Sequence, residues 1–191
     1  MTDLMYKAEI QNVIRDVYRE VEVNGRPDRT MCPYSDEELA SLPPDAVAWS
    51  FGTGNPVAWA ELQPGETVVD LGSGGGIDAI FAAREVGPTG RVVGMDLLPE
   101  MVERARANTA AAGLDNVEFF EGEIEAIPLP DESVDAVISN GVISLSARKA
   151  RVFAEALRVL RPGGRVCLSD MTLEEEQLPS EVLVHPAAWA G

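Results

Sequence analysis

The chain has 191 residues, 46% of them hydrophobic, which suits one domain with a sizeable core and not a disordered chain. Fifteen basic residues against 32 acidic ones give a formal charge of -17, so most of the surface repels nucleic acid and anionic membrane. No apolar run is long enough to span a bilayer, two cysteines are too few for a disulfide framework, and a single histidine, His185, excludes a histidine-based metal cluster.

The opening MTDLMYKAEI lacks the basic-then-apolar pattern of a secretory signal, so a cytoplasmic protein is expected. Ile10, Val13, Ile14, Val17, Tyr18 and Val21 recur at helical spacing and predict an amphipathic helix over 3–22, ended by Asn24-Gly25. Residues 25–34, with Pro27, Cys32 and Pro33, read as loop. Ser35 to Glu38 fits a capping box, and Asn55-Pro56 opens a helix to about Leu62. Residues 1–63 form an N-terminal helical appendage in this reading. After Pro64-Gly65 the pattern changes. Apolar strands at 67–71, 91–96, 117–120, 134–139 and 165–169 alternate with helices at 76–86, 99–112 and 147–160. That alternation predicts an α/β fold with a doubly wound, mainly parallel sheet covered on both faces. Pro162-Gly163-Gly164 reads as a helix stop and turn. The sheet domain spans 64–170, and 171–191 are a tail.

Asp70-x-Gly72-x-Gly74-x-Gly76 sits where the first strand meets its helix, at the ligand crevice of such a sheet. Gly72 permits the sharp turn, Gly74 lets a ligand approach the backbone, and the helix from Gly76 points free N–H groups into the crevice. A tight structural turn is the alternative. A dinucleotide site needs glycine at position 77, where Ile77 stands. The alternate-residue spacing instead resembles the class I methyltransferase loop for S-adenosylmethionine. That resemblance implies Asp70 near the cofactor's ammonium, directly or through water, and Asp96 on its ribose hydroxyls. It places Glu123 and Ile124 at adenine. Asp96 could also cap the next helix, but Leu97-Leu98-Pro99 intervenes, and Glu123 could be a solvated acid. Ser73, Leu97, Gly122, Ser139 and Asn140 are counted with the cofactor site.

Four stretches narrow the resemblance: GNPVAWAELQPGETVVDLGSGGGIDAIFAA, VGPTGRVVGMDLLPEMVERAR, NVEFFEGEIEAIPLPDESVDAVISN and EALRVLRPGGRVCLSD. Together with VISLS they are similar to the bacterial arsenite methyltransferases, over roughly residues 33–190. The resemblance implies a Rossmann-like fold and methylation of trivalent arsenic held by cysteine thiolates, soft ligands for a soft centre. Catalysis is then mostly positioning of the arsenic lone pair against the sulfonium methyl. The chain departs from the family at those ligands. Thr53 and Gly141 stand where the family commonly has cysteine, and Trp189-Ala190-Gly191 ends the chain before a further one. Cys32 is a loose counterpart of the N-terminal family cysteine or an incidental free thiol. Cys32 and Gly141 are therefore assigned to the substrate side. Cys167 reads as core, His185 as surface, and Trp49, Phe51 and Trp59 as pocket or packing. No catalytic residue and no metal ligand is assigned.

The expected function is an S-adenosylmethionine-dependent methyltransferase acting on arsenite or another small nucleophile. The alternative is a non-catalytic S-adenosylmethionine-binding module or a degenerate methyltransferase fragment, with a dehydrogenase third. The family usually follows its fifth strand with a helix and two more strands, for which 171–191 are too few. Strand 165–169 is then an apolar sheet edge, expected to be covered by a homodimer or a folded-back tail, unless the chain is a fragment.

Overall fold

Strands that are apolar almost throughout can bury both faces only beneath helices on each side. The computed structural model of the chain, which describes residues 12–16, 33–51 and 53–172, shows that arrangement. Five strands, β1 (Thr67–Leu71), β2 (Arg91–Asp96), β3 (Val117–Glu121), β4 (Val134–Asn140) and β5 (Leu160–Ser169), form one sheet in the order β3-β2-β1-β4-β5. All four pairings are parallel. The helices are α1 (Asp36–Ala40), α2 (Pro44–Ala48), α3 (Pro56–Trp59), α4 (Ile77–Val86), α5 (Pro99–Ala111) and α6 (Lys149–Val159), with a 3-10 turn at Ile143–Leu145. No helix among the described residues is long and apolar enough to cross a membrane.

The two-residue period of a strand sorts the core. Val68 joins Ala79, Ala83, Val86 and Val102 on one face of the sheet, and its neighbour Val69 joins Val137, Val152 and Val159 on the other. Each fully buried valine contributes roughly 1.5–3 kcal/mol. A third cluster ties the N-terminal helices on: Leu42, Ala46 and Val47 pack with Ile77 and Ile80 of α4. The strand order reverses between β1 and β4, so the crossovers leave the sheet on opposite faces there and a crevice opens beyond the strand ends.

Several boundaries differ from expectation. The helix expected over 3–22 lies mostly outside the described residues, of which 12–16 are helical. α2 was not anticipated, although Pro44 at its first position is pre-set for a helix. The helix from Pro56 stops at Trp59, and Glu61 then takes a φ of 49°. β5 starts at Leu160, before the Pro-Gly-Gly stretch. Leu160 pairs with Val134 and Arg165 with Ala136, so residues 161–164 bulge out opposite Asp135 without ending the strand. Ser35 and Glu38 do form a capping box on α1.

The segment after β3 carries residues into the crevice and is clamped by α6. Arg158 donates to the carbonyls of Ile127 and Leu129, both at 2.8 Å, and to the carboxylates of Asp131 and Glu155. Buried Glu155 in turn accepts the Ile127 N–H at 3.1 Å. The Arg158 guanidinium holds the Glu155 carboxyl below its ordinary 4.5, so this contribution is full above that value and is lost as pH falls through the lowered one. Glu155→Ala is expected to lower stability at pH 7 by about 2–3 kcal/mol in urea denaturation, less than for a fully buried pair because Arg158 is partly exposed. The deficit should shrink toward pH 3.

Candidate functional site

The glycine loop is shaped by backbone need. Gly72 has a φ of 73°, and a Cβ there would lie 2.3 Å from Val142 Cγ2, so neither conformation nor space admits a side chain. The Gly72 and Ser73 N–H groups both donate to the Met95 carbonyl at 2.9 Å, which fixes the loop against the end of β2. The N-cap of α4 is Gly76, which has no side chain to satisfy the first helical N–H groups. Asp70 meets that need from the neighbouring strand by accepting the Ala79 N–H.

Asp70 is therefore enclosed. It is 1% exposed, does not line the cleft, and its Oδ2 has no partner among the described residues. Burial first, then the Asp78 and Asp96 charges, push its carboxyl well above the usual range, against the Ala79 N–H. Gly76 and Ser139 also lie behind the lining. The Ser139 hydroxyl donates to the Leu71 carbonyl at 3.1 Å and locks β4 to β1.

The cleft encloses about 990 Å³, its mouth included. Gly72, Ser73, Gly74, Asp96 and Leu97 line it from β1 and β2, and Gly122, Glu123 and Ile124 from beyond β3. Asn140 and Gly141 reach it from β4. Asp96 Oδ2 accepts the Gly74 N–H at 2.9 Å and Oδ1 the Leu98 N–H at 3.0 Å. Burial raises its pKa while the N–H groups of Leu98, Gly74 and Leu97 oppose the shift.

One lining carboxylate was missed in the sequence. Asp78, in the first turn of α4, is 5% exposed. It accepts the Tyr34 hydroxyl at Oδ1, 2.6 Å, and the Asn140 Nδ2 at Oδ2, 3.0 Å. Burial pushes its pKa up to about 6 against those two bonds. Asn140 also accepts the N–H groups of Thr53 and Gly54 at 2.8 and 3.0 Å, and its Nδ2 lies 2.6 Å from the Gly54 carbonyl. One side chain thus joins β4, α4, Tyr34 and the segment before α3. An aspartate in a first turn reads as an ordinary dipole partner in sequence, and its partners are 44 and 62 positions away.

On the substrate side, Cys32 lies outside the described residues. Gly141 has a φ of 73°, and a Cβ there would sit 3.5 Å from Thr53 Cγ2. The two positions are neighbours, but any side chain at 141 meets a left-handed backbone. The Thr53 hydroxyl is 3.1 Å from that of Ser169. Cys167 points to the Pro56 carbonyl, Sγ to oxygen 3.2 Å, and burial pushes its thiol up. Trp49 and Phe51 line the cleft, with the Arg104 guanidinium 4.1 Å over the Trp49 ring, whereas Trp59 is 81% exposed elsewhere. No group of three or more histidine, cysteine, aspartate or glutamate side chains among the described residues is placed to hold a metal.

The lining carries Asp78, Asp96, Glu123 and Glu125 and, among the described residues, no lysine or arginine. The Gly74 and Ala79 N–H groups that could face a pyrophosphate are already taken by Asp96 and Asp70. The Ser73 hydroxyl, 6% exposed, has no partner among the described residues. This arrangement fits a cationic ligand with hydroxyl groups to donate and does not fit a dinucleotide.

The profile of the methyltransferase domain family matches residues 62–189. An arsenite methyltransferase of Halobacterium salinarum is 48% identical over 158 residues, 83% of this chain and 40% of that protein. A human arsenite methyltransferase is 37% identical over 200 residues, 95% of this chain and 52% of that protein. The crystal structure of an arsenic(III) S-adenosylmethionine methyltransferase from Chlamydomonas reinhardtii superposes with a TM-score of 0.71 at 41% identity, covering 80% of this chain and 53% of that one. The chain spans about half the length of the curated relatives it matches.

Asn140→Ala is expected to cost about 2–4 kcal/mol in urea denaturation, because it strands two backbone N–H groups and one side of Asp78. Asn140→Asp places a further carboxylate beside Asp78. Its loss of stability should be larger at pH 8 than at pH 5.

Proposed function

Because the chain belongs to the methyltransferase domain family, we propose that it binds S-adenosylmethionine in this cleft and directs its methyl group to arsenite or another small nucleophile. The observation that carries this reading is a cleft lined by carboxylates without a basic residue among the described ones, which suits a sulfonium. Asp96 holds the Gly74, Leu97 and Leu98 N–H groups on its two oxygens and keeps acceptor capacity for a ribose hydroxyl. Glu123 and Ile124 take the adenine end, and the Ser73 hydroxyl offers a donor within the same loop. When bound, the cofactor supplies an electrophilic methyl group on a positive sulfur. The chain's residues then orient the cofactor and exclude water, with Trp49 and Phe51 as apolar wall, and in-line positioning does most of the work.

The arsenite methyltransferase relatives support arsenite as acceptor, and the residues at the family's cysteine positions oppose it. Thr53 and Gly141 present no thiol, and their surroundings offer hydroxyls. A cofactor-binding module without transfer is the second reading that this observation favours. The division into an appendage over 1–63, a cofactor domain over 64–170 and a tail over 171–191 belongs to the same proposal, as does a cytoplasmic setting. Val166 and Leu168, 38% and 41% exposed on edge strand β5, support pairing of two copies. Light scattering that shows only monomer, with fast amide exchange over 165–169, would remove that last part.

Calorimetry should show S-adenosylmethionine binding and no NAD binding. Asp96→Ala should weaken the former at least tenfold, since each hydrogen bond to a charged group contributes about 1.5–3 kcal/mol. Unchanged affinity would defeat the ribose assignment. Mass spectrometry of a panel of arsenite, thiols and small phenols should show weak or no arsenic methylation by this chain, and robust turnover would overturn that expectation. Gly141→Cys should gain little arsenite affinity without a change of the turn, given the φ of 73°.

A further inference from the structure

Two acids compete for the ammonium end of the cofactor, and their surroundings decide between them. Asp70 stands at the strand end, where the resemblance puts the contact. It is enclosed behind the lining, serves as the cap of α4, and is biased toward its neutral form by burial beside Asp78 and Asp96. A neutral carboxylic acid is a poor partner for a cation. Asp78 lines the cleft itself and is aimed by two fixed donors, the Tyr34 hydroxyl and the Asn140 amide. Both of its oxygens keep a free lone-pair site after those bonds. Among the described residues no cation pairs with it, so a buried carboxylate is held by neutral donors alone.

We propose that Asp78 is the carboxylate that receives the ammonium group of S-adenosylmethionine, and that Tyr34 and Asn140 are the positioning residues that aim it. This rests on the reading of the cleft as the cofactor site. It also makes the segment before α1 part of that site. Tyr34 is 5% exposed and is held by stacking on Phe81, with ring centroids 5.5 Å apart. The hydroxyl it gives to Asp78 therefore comes from a ring with little freedom to turn away. The charged and titratable groups around Asp78 are Tyr34 from the N-terminal segment, Asp70 from β1, and Asp96 from β2, which acts on Asp70. None is a cation.

The test compares three adenosine compounds by calorimetry on the full 191-residue chain. S-Adenosylmethionine and S-adenosylhomocysteine both carry the ammonium, and methylthioadenosine lacks the amino-acid end. Asp78→Asn is expected to weaken the first two alike, on the order of 10- to 100-fold, and to leave methylthioadenosine within about twofold. A loss confined to S-adenosylmethionine would put Asp78 at the sulfonium and overturn the assignment, as would equal losses for all three or no loss at all. Failure of the unsubstituted chain to bind any of them would instead overturn the reading of the cleft. Should Asp78→Asn not fold, proton release by the unsubstituted chain decides. Titration near pH 6 in two buffers of different ionisation enthalpy should show release of a proton with S-adenosylhomocysteine and none with methylthioadenosine. Tyr34→Phe removes a bond that favours the charged form, so the midpoint of that release should move to higher pH. No release, or equal release with both compounds, overturns the proposal.

Discussion

Three carboxylates are buried together at one end of the sheet without a cation among their hydrogen-bond partners in the described residues. Asp70, Asp78 and Asp96 are stabilised by backbone N–H groups, a phenol and an amide, which are all neutral donors. Burying negative charge on such terms is expensive, and the cost is visible as three acids shifted toward their protonated forms. The folded-state value of Asp78, about 6, lies above its ordinary 3.8, so the folded chain holds the proton more tightly than the unfolded one. The corresponding stabilisation is full below about 3.8 and is lost as pH rises through about 6. Near neutral pH the site is thus a strained feature of the fold.

The rest of the architecture makes that strain tolerable. The two apolar clusters on the sheet faces are built mostly from valine, alanine, isoleucine and leucine, with Phe119 and Met95, and they hold the strands in register. The glycine N-cap of α4 sits close against Ala105 of α5 and offers no side chain to the first N–H groups, and Asp70 closes that gap from β1. Asn140 then fastens the segment before α3 over the same end. The Arg158 clamp brings the segment after β3 in from the other side. The proposed site and the fold share these residues. The loop that turns at Gly72 both ends β1 and shapes the cleft.

The sheet was legible in the sequence because apolar runs bounded by glycine and proline have few other uses. β1 and β2 match their expected ranges, and β3 and β4 run one residue further. Short features were less legible. α2 has five residues and too little periodicity to stand out, and β5 continues through a Pro-Gly-Gly stretch that reads locally as a stop. Asp96, Gly72 and Gly74 could be placed at the cleft because strand ends and alternate glycines carry positional meaning. Asp70 illustrates the limit. Its position at the strand end is plain, yet whether it faces a ligand or caps a helix depends on a rotation of the side chain that spacing does not encode. Asp78 needed two distant partners to become visible, and neither Tyr34 nor Asn140 announces the other along the chain.

The bulge in β5 separates two registers that a regular strand would couple. Leu160 is fixed by Val134 and residues 165–169 by the rest of β4, with 161–164 looped out between them. In an uninterrupted strand the gain or loss of one residue turns every later side chain to the opposite face. Here such a length change is absorbed in the exposed tip at Arg161–Gly163, and Cys167 and Ser169 keep their orientation toward α3 and Thr53. The segment is a natural place for length variation among descendants of this sequence, close in the chain to the cleft and mechanically isolated from it.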